Sequence, residues 1–424
     1  MKKSKIVLLS GLGVLVLGII LSGINFLIKG KTAFEYASET NGETYQVYDY
    51  KAETDIKSIE VLANVREITI VPDDGNSIRI HSYVREKNYL SVVEHNGVLR
   101  ISEVNITEPW YDIKNWLSFP LYGVSYGDEV IDECVFVYVP KNLALDGVYS
   151  SNAYGNVTME HLAAGDLTIH CSNGDITLTG ISADAATITA RYGKVDLNFF
   201  DATGALTISN SNGDVNLDTV TSASTVATTR YGDISLRNLT TGDLTVADDN
   251  GSMKLNNTVS AKTLIDSSYG AVSVDNAQMT TLTAKNRNGN ISLGQLTAVD
   301  IEAESGYGDI TASYVNASLL SAESTNGSIS IISGEIASLD LLSKYGDILV
   351  SGAAFDVCIT DNINGRTAFE LNEISAGDVE ISAKTDNGSV TIDGKNQTNS
   401  YLNTVSSPKA KITAKAAYGD ISIR

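Results

Sequence analysis

The 424-residue chain has little of what braced or catalytic proteins are usually built from. It holds three cysteines, Cys134, Cys171 and Cys358. A small odd number argues against a disulfide framework. Cys134 with Cys171 is the one pairing left open. Cys171 otherwise reads as a small strand residue, three positions before a glycine, in a slot that Ala190, Ser305, Ser324 and Ser343 fill elsewhere. Four histidines, His81, His95, His161 and His170, form no constellation with an acid or a nucleophile. Five prolines and an aromatic content of 7% suit many short, regular strands. Basic residues are scarce as well. Residues 1–31 carry five lysines and no acid, which leaves 25 basic against 51 acidic groups in 32–424, a net charge of −26. Phosphate binding needs a basic face, so nucleic acid is excluded as a partner. A soluble surface in an extracellular setting fits the charge.

Glycine is abundant, and its placement organises the chain. Gly155, Gly174, Gly193, Gly213, Gly232, Gly251, Gly270, Gly289, Gly308, Gly327, Gly346 and Gly365 recur every 19 residues, with one gap of 20 between Gly193 and Gly213. The residue before each alternates: Tyr154, Asn173, Tyr192, Asn212, and so on to Tyr345 and Asn364. A 19-residue unit thus sits inside a 38-residue super-repeat, with looser copies at Asn387-Gly388 and Tyr418-Gly419. A fixed period of this length marks a solenoid or array.

Within a unit, apolar pairs stand two and four residues after the glycine, as Val215 and Leu217 or Ile234 and Leu236. Others stand seven and five before it, as Leu206 and Ile208. Period two predicts half-buried strands, with Leu217 and Ile234 inward and Asn216 facing water. The unit reads as strand, glycine corner, strand and short polar loop, with glycine supplying positive φ. One unit cannot bury its apolar face, whereas stacked units can, about 4.8 Å apart. A parallel β-solenoid of twelve rungs follows, roughly 58 Å long at that spacing. A meander of hairpins is the rival, since Asn-Gly is a strong hairpin signal, but Tyr-Gly in the same slot suits a tight primed turn poorly. A unit is one rung or half a rung. One rung is favoured, because its two strands carry enough Leu, Ile and Val to face each other.

Aspartate follows the glycine in six of fourteen units, at Asp175, Asp214, Asp233, Asp309, Asp347 and Asp420. Calcium needs several oxygen ligands per site, and the glycine-rich nonapeptide of calcium-binding β-rolls is missing. These carboxylates are expected to bond their own corner's backbone. No metal or cofactor is expected.

Outside the array, Ile6 to Ile28 run 23 residues without a charge, after Lys2, Lys3 and Lys5 and before Lys29 and Lys31. That length predicts a membrane-spanning signal anchor, with a cleaved signal peptide as the alternative. The lysine balance favours a cytoplasmic N-terminus and an outside C-terminal domain. The expected organisation is a basic tail and anchor over 1–31, a spacer over 32–54, a β-rich capping region over 55–149 and the solenoid over 150–424, with irregular final turns. The capping region carries an aromatic insertion, 105–128, with both tryptophans of the chain. Trp110, Tyr111, Trp116 and Phe119 are its candidate binding residues, since rigid aromatics among Asp112, Lys114 and Asn115 suit protein or sugar contact. A cap over the open end of the core is their alternative role. The edge tyrosines Tyr192, Tyr231, Tyr269, Tyr307 and Tyr345 read as corner packing, stacked one upon another.

Ile59-Glu60-Val61 with Glu67-Ile68-Thr69-Ile70, Tyr138-Val139-Pro140 before the array, and the repeated Asn/Tyr-Gly-Asp-Ile/Val units resemble the putative-adhesin family of β-strand-repeat proteins of unknown function, over roughly residues 55–424. That family is related to adhesin-like head domains with right-handed β-helix folds. The resemblance implies an envelope-associated bacterial protein, often membrane-anchored, with some relatives linked to envelope stress responses. It brings no catalytic motif. The expected function is a non-catalytic, single-pass protein of the cell membrane whose extracellular domain binds a cell-envelope glycan or protein. A structural or signalling part in envelope stress is the alternative, and a polysaccharide-degrading β-helix enzyme a remote one. The sequence does not give the oligomeric state.

Overall fold

In the computed structural model of the chain, residues 46–84, 88–105, 134–371 and 374–424 are described. Contacts divide the chain into two units. One comprises 49–82, 91–103 and 132–424. The other comprises 1–48, 83–90 and 104–131, of which 46–48, 83–84, 88–90 and 104–105 are described, all as strand. The apolar run Ile6 to Ile28 lies outside the described residues. So do Trp110, Tyr111, Trp116 and Phe119. Among the described residues, no helix is long and apolar enough to cross a membrane.

The larger unit is a parallel β-solenoid. In Val215–Tyr231, Val215, Leu217, Val220, Ser222, Thr225, Ala227 and Thr229 are buried, and the residues between them turn outward. The next strand, Ile234–Asn250, lies parallel to it, with Val215 opposite Ile234 and Thr225 opposite Leu244. Partners stand 19 residues apart, so one unit is one complete rung. In the array Asn-Gly makes no hairpin: Asn173 lies opposite Tyr192 and Ile176 opposite Val195, both in parallel pairing. An isolated rung would leave both rows of backbone N–H and C=O groups unpaired, and stacking pairs them. The single 20-residue interval has a local cause. Val195 is 19 residues beyond its partner Ile176, whereas Leu206 is 20 beyond its partner Ala186. The extra residue therefore sits at the Thr203-Gly204 corner between two strands. Inside a strand it would have turned the buried set outward.

Asn216 is half-buried rather than fully facing water, and its Nδ2 donates to Asp196 Oδ1 in the preceding rung at 2.7 Å. Asn216→Asp is therefore expected to set two carboxylates against each other and to cost about 1 kcal/mol. The measurement is a melting curve at pH 7 in low and high salt, with the loss shrinking as salt rises.

The corners correct two expectations. Gly327 lies outside the left-handed region, yet a Cβ there would stand 2.1 Å from the carbonyl oxygen of Gly308 in the rung before. Closeness between stacked corners, more than positive φ, requires the glycine. The expected polar loop is instead a further side of the rung, entered through a second corner whose residue is left-handed. Phe199, Thr219, Asn238, Asn257, Asn276, Gln295, Tyr314 and Ser333 occupy it with φ between 47° and 60°. Single left-handed residues of this kind persist where neighbouring structure over-determines them. Here ladder pairing on both sides does so.

The two ends share one construction. At the start, Ser58–Ala63 and Ile68–Asp73 form a rung that pairs on one side with Ala144–Tyr154 and Val157–Glu160, the next rung of the array. On its other side it pairs with Val98–Asn105 and Val135–Pro140. The rung earliest in sequence is thus second in space. Arg66 lies at its corner, 1% exposed, 3.8 Å from the equally buried Glu103 and bonded to Ser82 Oγ at 3.2 Å. At the far end, Ala410–Tyr418 lies between Val357–Asn364 and Val379–Asn387. Ile421–Ile423 lies between Thr367–Glu370 and Val390–Ile392. The rung latest in sequence is again second in space. Antiparallel strands then close the outermost rungs: Arg79–His81 lies against Phe136–Tyr138, and Ser400–Leu402 lies against Ser382–Lys384. Closing these edges removes templates for further strand addition.

Candidate functional site: the tyrosine edge

The residue before each corner glycine stands at the corner, where the alternation breaks: Thr229 is buried, and both Arg230 and Tyr231 after it are exposed. Tyr154, Tyr192, Tyr231, Tyr269, Tyr307, Tyr345 and Tyr418 stand there, each between 46% and 67% exposed. In the intervening rungs the same position holds asparagine, whose amide reaches back to the rung before. Asn173 Nδ2 donates to Ala153 O at 3.1 Å, Asn212 to Arg191 O at 3.3 Å, Asn288 to Ser268 O at 3.2 Å and Asn326 to Gly306 O at 3.3 Å. Each acceptor lies immediately before the tyrosine (or its equivalent) of that rung. Asparagine therefore clamps the backbone beside the ring and leaves the ring uncovered. With one rung between them, successive tyrosines stand about 9.6 Å apart. That exceeds the roughly 4.5–7 Å at which aromatic rings pack, so the expected tyrosine-on-tyrosine stack is not formed. Arg191 lies 5.5 Å over the ring of Tyr192.

Beneath the edge, a buried side chain three residues before the glycine fixes the corner carbonyls in most rungs, although Ala190 and Ala416 carry no donor there. Ser305 Oγ donates to Gly289 O at 3.1 Å, Ser324 to Gly308 O at 3.1 Å, and Asn286 Nδ2 to Gly270 O at 2.8 Å. Cys171 takes this place in its rung, and all three cysteines are buried and outside any disulfide, Cys134 and Cys171 included. Asp248 takes it in another rung, 3% exposed. Its Oδ1 accepts from the Asn250 N–H at 3.1 Å, and its buried Oδ2 has no partner. Oδ2 stands 2.8 Å from where a Cβ would lie on Gly251, the relation Asn286 Nδ2 bears to Gly289. It thus occupies a donor's place. Burial, helped by Asp249 and Asp233, pushes its carboxyl up to about 6, and only the protonated form can donate as the other rungs do.

The unfolded chain holds Asp248 near the ordinary carboxylate range, so the fold binds the proton more tightly. Its contribution is intact below about pH 4 and is lost as pH rises through about 6. Asp248→Asn is expected to stabilise the protein at pH 7 by on the order of 2 kcal/mol, and by little at pH 4. Denaturant midpoints at the two pH values check it. An equal gain at both would sink the assignment.

The aspartates after the glycines do not bond their own corner. Asp175 Oδ1 accepts from Lys194 N at 2.7 Å, Asp233 Oδ1 from Ser252 N at 2.8 Å and Asp347 Oδ1 from Arg366 N at 2.8 Å, each in the following rung. They tie rungs together. Among the described residues no group of three or more histidine, cysteine or acidic side chains could hold a metal. His81 pairs with Asp49 at 2.7 Å and His95 with Asn96 at 2.9 Å, while His161 stands at the left-handed corner with φ 48°. They do not converge on one another. Phe199 and Tyr314, both 63% exposed at the second corner, escaped the sequence reading because their left-handed geometry has no compositional signal.

A family model described as Toastrack DUF4097 matches residues 56–281 and 276–424. No curated protein matches the sequence. Among solved structures, the chain aligns with a putative cell adhesion protein from Clostridium sporogenes, at 8% identity over 90% of this chain and 98% of that one, with a TM-score of 0.16. It aligns with a putative adhesin from Bacteroides fragilis at 14% identity, over 90% and 97%, with a TM-score of 0.22. A putative lipid binding protein from Parabacteroides distasonis shows 12% identity over 91% and 98%, with a TM-score of 0.17. At TM-scores this low, these likenesses bear on neither fold nor function.

Proposed function

The chain belongs to the Toastrack DUF4097 family, and from that premise we propose that it is a membrane-anchored, non-catalytic protein of the bacterial cell surface. Its solenoid is held outside by the Ile6 to Ile28 segment and engages a cell-envelope ligand. The observation that carries this reading is the row of seven exposed tyrosines on a rigid stack. Rigid aromatics give contact area at small entropic cost. The uninterrupted apolar run with its flanking lysines supports the anchor and its orientation. The scattered histidines support a binding role over a hydrolytic one. Trp110, Tyr111, Trp116 and Phe119 of the 105–128 insertion are proposed as a second contact set, on their sequence alone.

The test is made with intact cells that express the full chain. External protease is expected to digest the solenoid without lysis, and the cells are expected to retain isolated envelope fragments that cells without the chain do not. Protection of the solenoid until lysis would overturn the orientation. Equal retention by both cell types would overturn the binding role.

A further inference from the structure

The tyrosine edge has a geometry that selects among ligands. Seven rings stand at one corner, at every second rung, from Tyr154 to Tyr418. Their interval is about 9.6 Å, so the row extends about 58 Å. The interval is fixed by backbone pairing and not by the side chains, and asparagine clamps hold the backbone beside six of the seven rings. A ligand that uses the whole row must be linear, extended and repetitive on the same length.

Resting on the envelope-binding reading above, we propose that this edge is a track for an extended, uncharged β-1,4-linked polysaccharide. In such a chain each sugar is turned by half a revolution from the one before, so the same face recurs once per disaccharide. That repeat agrees with the two-rung interval to within about an ångström. The C–H face of a pyranose lies flat on a tyrosine ring, and its hydroxyls meet the polar groups between rings. At the intervening rungs these include the asparagine of the edge and, in all but the Asn364 rung, an Asp, Asn or Ser after the corner glycine, such as Asp214, Ser252 and Asn290. Charge narrows the class further. Residues 32–424 carry a net −26, which repels polyanionic polymers and leaves neutral sugars unaffected. A compact protein epitope has no reason to repeat at this interval, whereas a glycan does.

The test uses the full chain in detergent micelles and calorimetric titration with β-1,4-linked N-acetylglucosamine and glucose oligomers of two to eight sugars. Malto-oligosaccharides, which are α-1,4-linked and curved, are the control. Affinity is expected to rise in steps of two sugars, by roughly 5-fold for each further ring reached. Replacing Tyr231, Tyr269 and Tyr307 together by Ala is expected to cost roughly 100-fold for the octamer and to leave the melting temperature unchanged, because these side chains are exposed. A Tyr→Leu triple variant, which keeps bulk but not the flat face, is expected to lose binding to a similar degree. Absence of binding by either β-linked series, equal binding of the α-linked control, or full binding by both triple variants would overturn the proposal. Envelope retention by cells bearing the Ala variant, measured alongside, separates the two readings. Retention without glycan binding by the wild type ends the glycan track and leaves the envelope role standing.

Discussion

Removing residues 410–424 is expected to unfold the C-terminal end of the solenoid, where removing the last unit of an ordinary array would only shorten it. Ile412 lies opposite Cys358 on one side and Ile381 on the other. Ile421 lies opposite Thr367 and Val390. An end repeat normally has one neighbour, so its loss removes one interface. This segment has two, and the outermost rung is attached to the array only through it. Ala410, Ile412, Ala414, Ala416, Ile421 and Ile423 are all buried. The three isoleucines alone are worth about 5–9 kcal/mol at roughly 1.5–3 each, which approaches the whole stability of an average domain. The closing strand Ser400–Leu402 depends on Val379–Asn387 and would be lost with it. Far-UV circular dichroism and limited proteolysis check this. The truncated chain is expected to melt at least 10 °C lower and to be trimmed back to near residue 371. Melting within about 2 °C of the full chain would mean that the end rungs stand without their insert.

This interleaving was present in the sequence in a form that is read only backwards. Along the chain the last three corner residues are Asn364, Asn387 and Tyr418, which breaks the alternation. In space they follow as Asn364, Tyr418, Asn387, and the alternation is whole. Asn387 Nδ2 donates to Ala417 O at 3.4 Å, the clamp its counterparts make. Periodicity reveals what each rung repeats, namely the Val215 and Leu217 face, the Leu206 and Ile208 face and the glycine between. It cannot reveal contacts between rungs that differ, because no residue type announces them. Asp175 looks the same whether it bonds its own corner or Lys194. The left-handed corner was hidden for a related reason. Phe, Thr, Asn, Gln, Tyr and Ser all occupy it, so the stack imposes the geometry that glycine supplies elsewhere. The edge tyrosines were visible, but their separation depends on each 19-residue unit being a full rung, and only the pairing register settles that.

The same one-dimensional logic governs a charge placed in the core. Leu217 is 1% exposed and lies opposite Leu197 and Leu236 in the rungs on either side. Leu217→Asp removes a large apolar side chain, at about 2–5 kcal/mol, and puts a carboxyl where its neighbours offer no donor, at several kcal/mol more. Asp248 is the natural comparison. It too is a buried acid, but it stands beside the corner, where the Asn250 N–H reaches one oxygen. At Leu217 the backbone groups nearby are committed to ladders on both sides, so the carboxyl has no such relief. Its expected cost exceeds 5 kcal/mol at pH 7 and is smaller at pH 4, where the group enters protonated. Leu217→Asn, which carries no charge, is expected to cost less than Leu217→Asp at pH 7 and about the same at pH 4. Because each rung touches only its neighbours, the damage should be confined. Hydrogen exchange is expected to lose protection over about residues 195–240 while the array on either side keeps its own. Uniform loss along the whole solenoid would show that it unfolds as one cooperative body, and that a rung in the middle cannot fail alone.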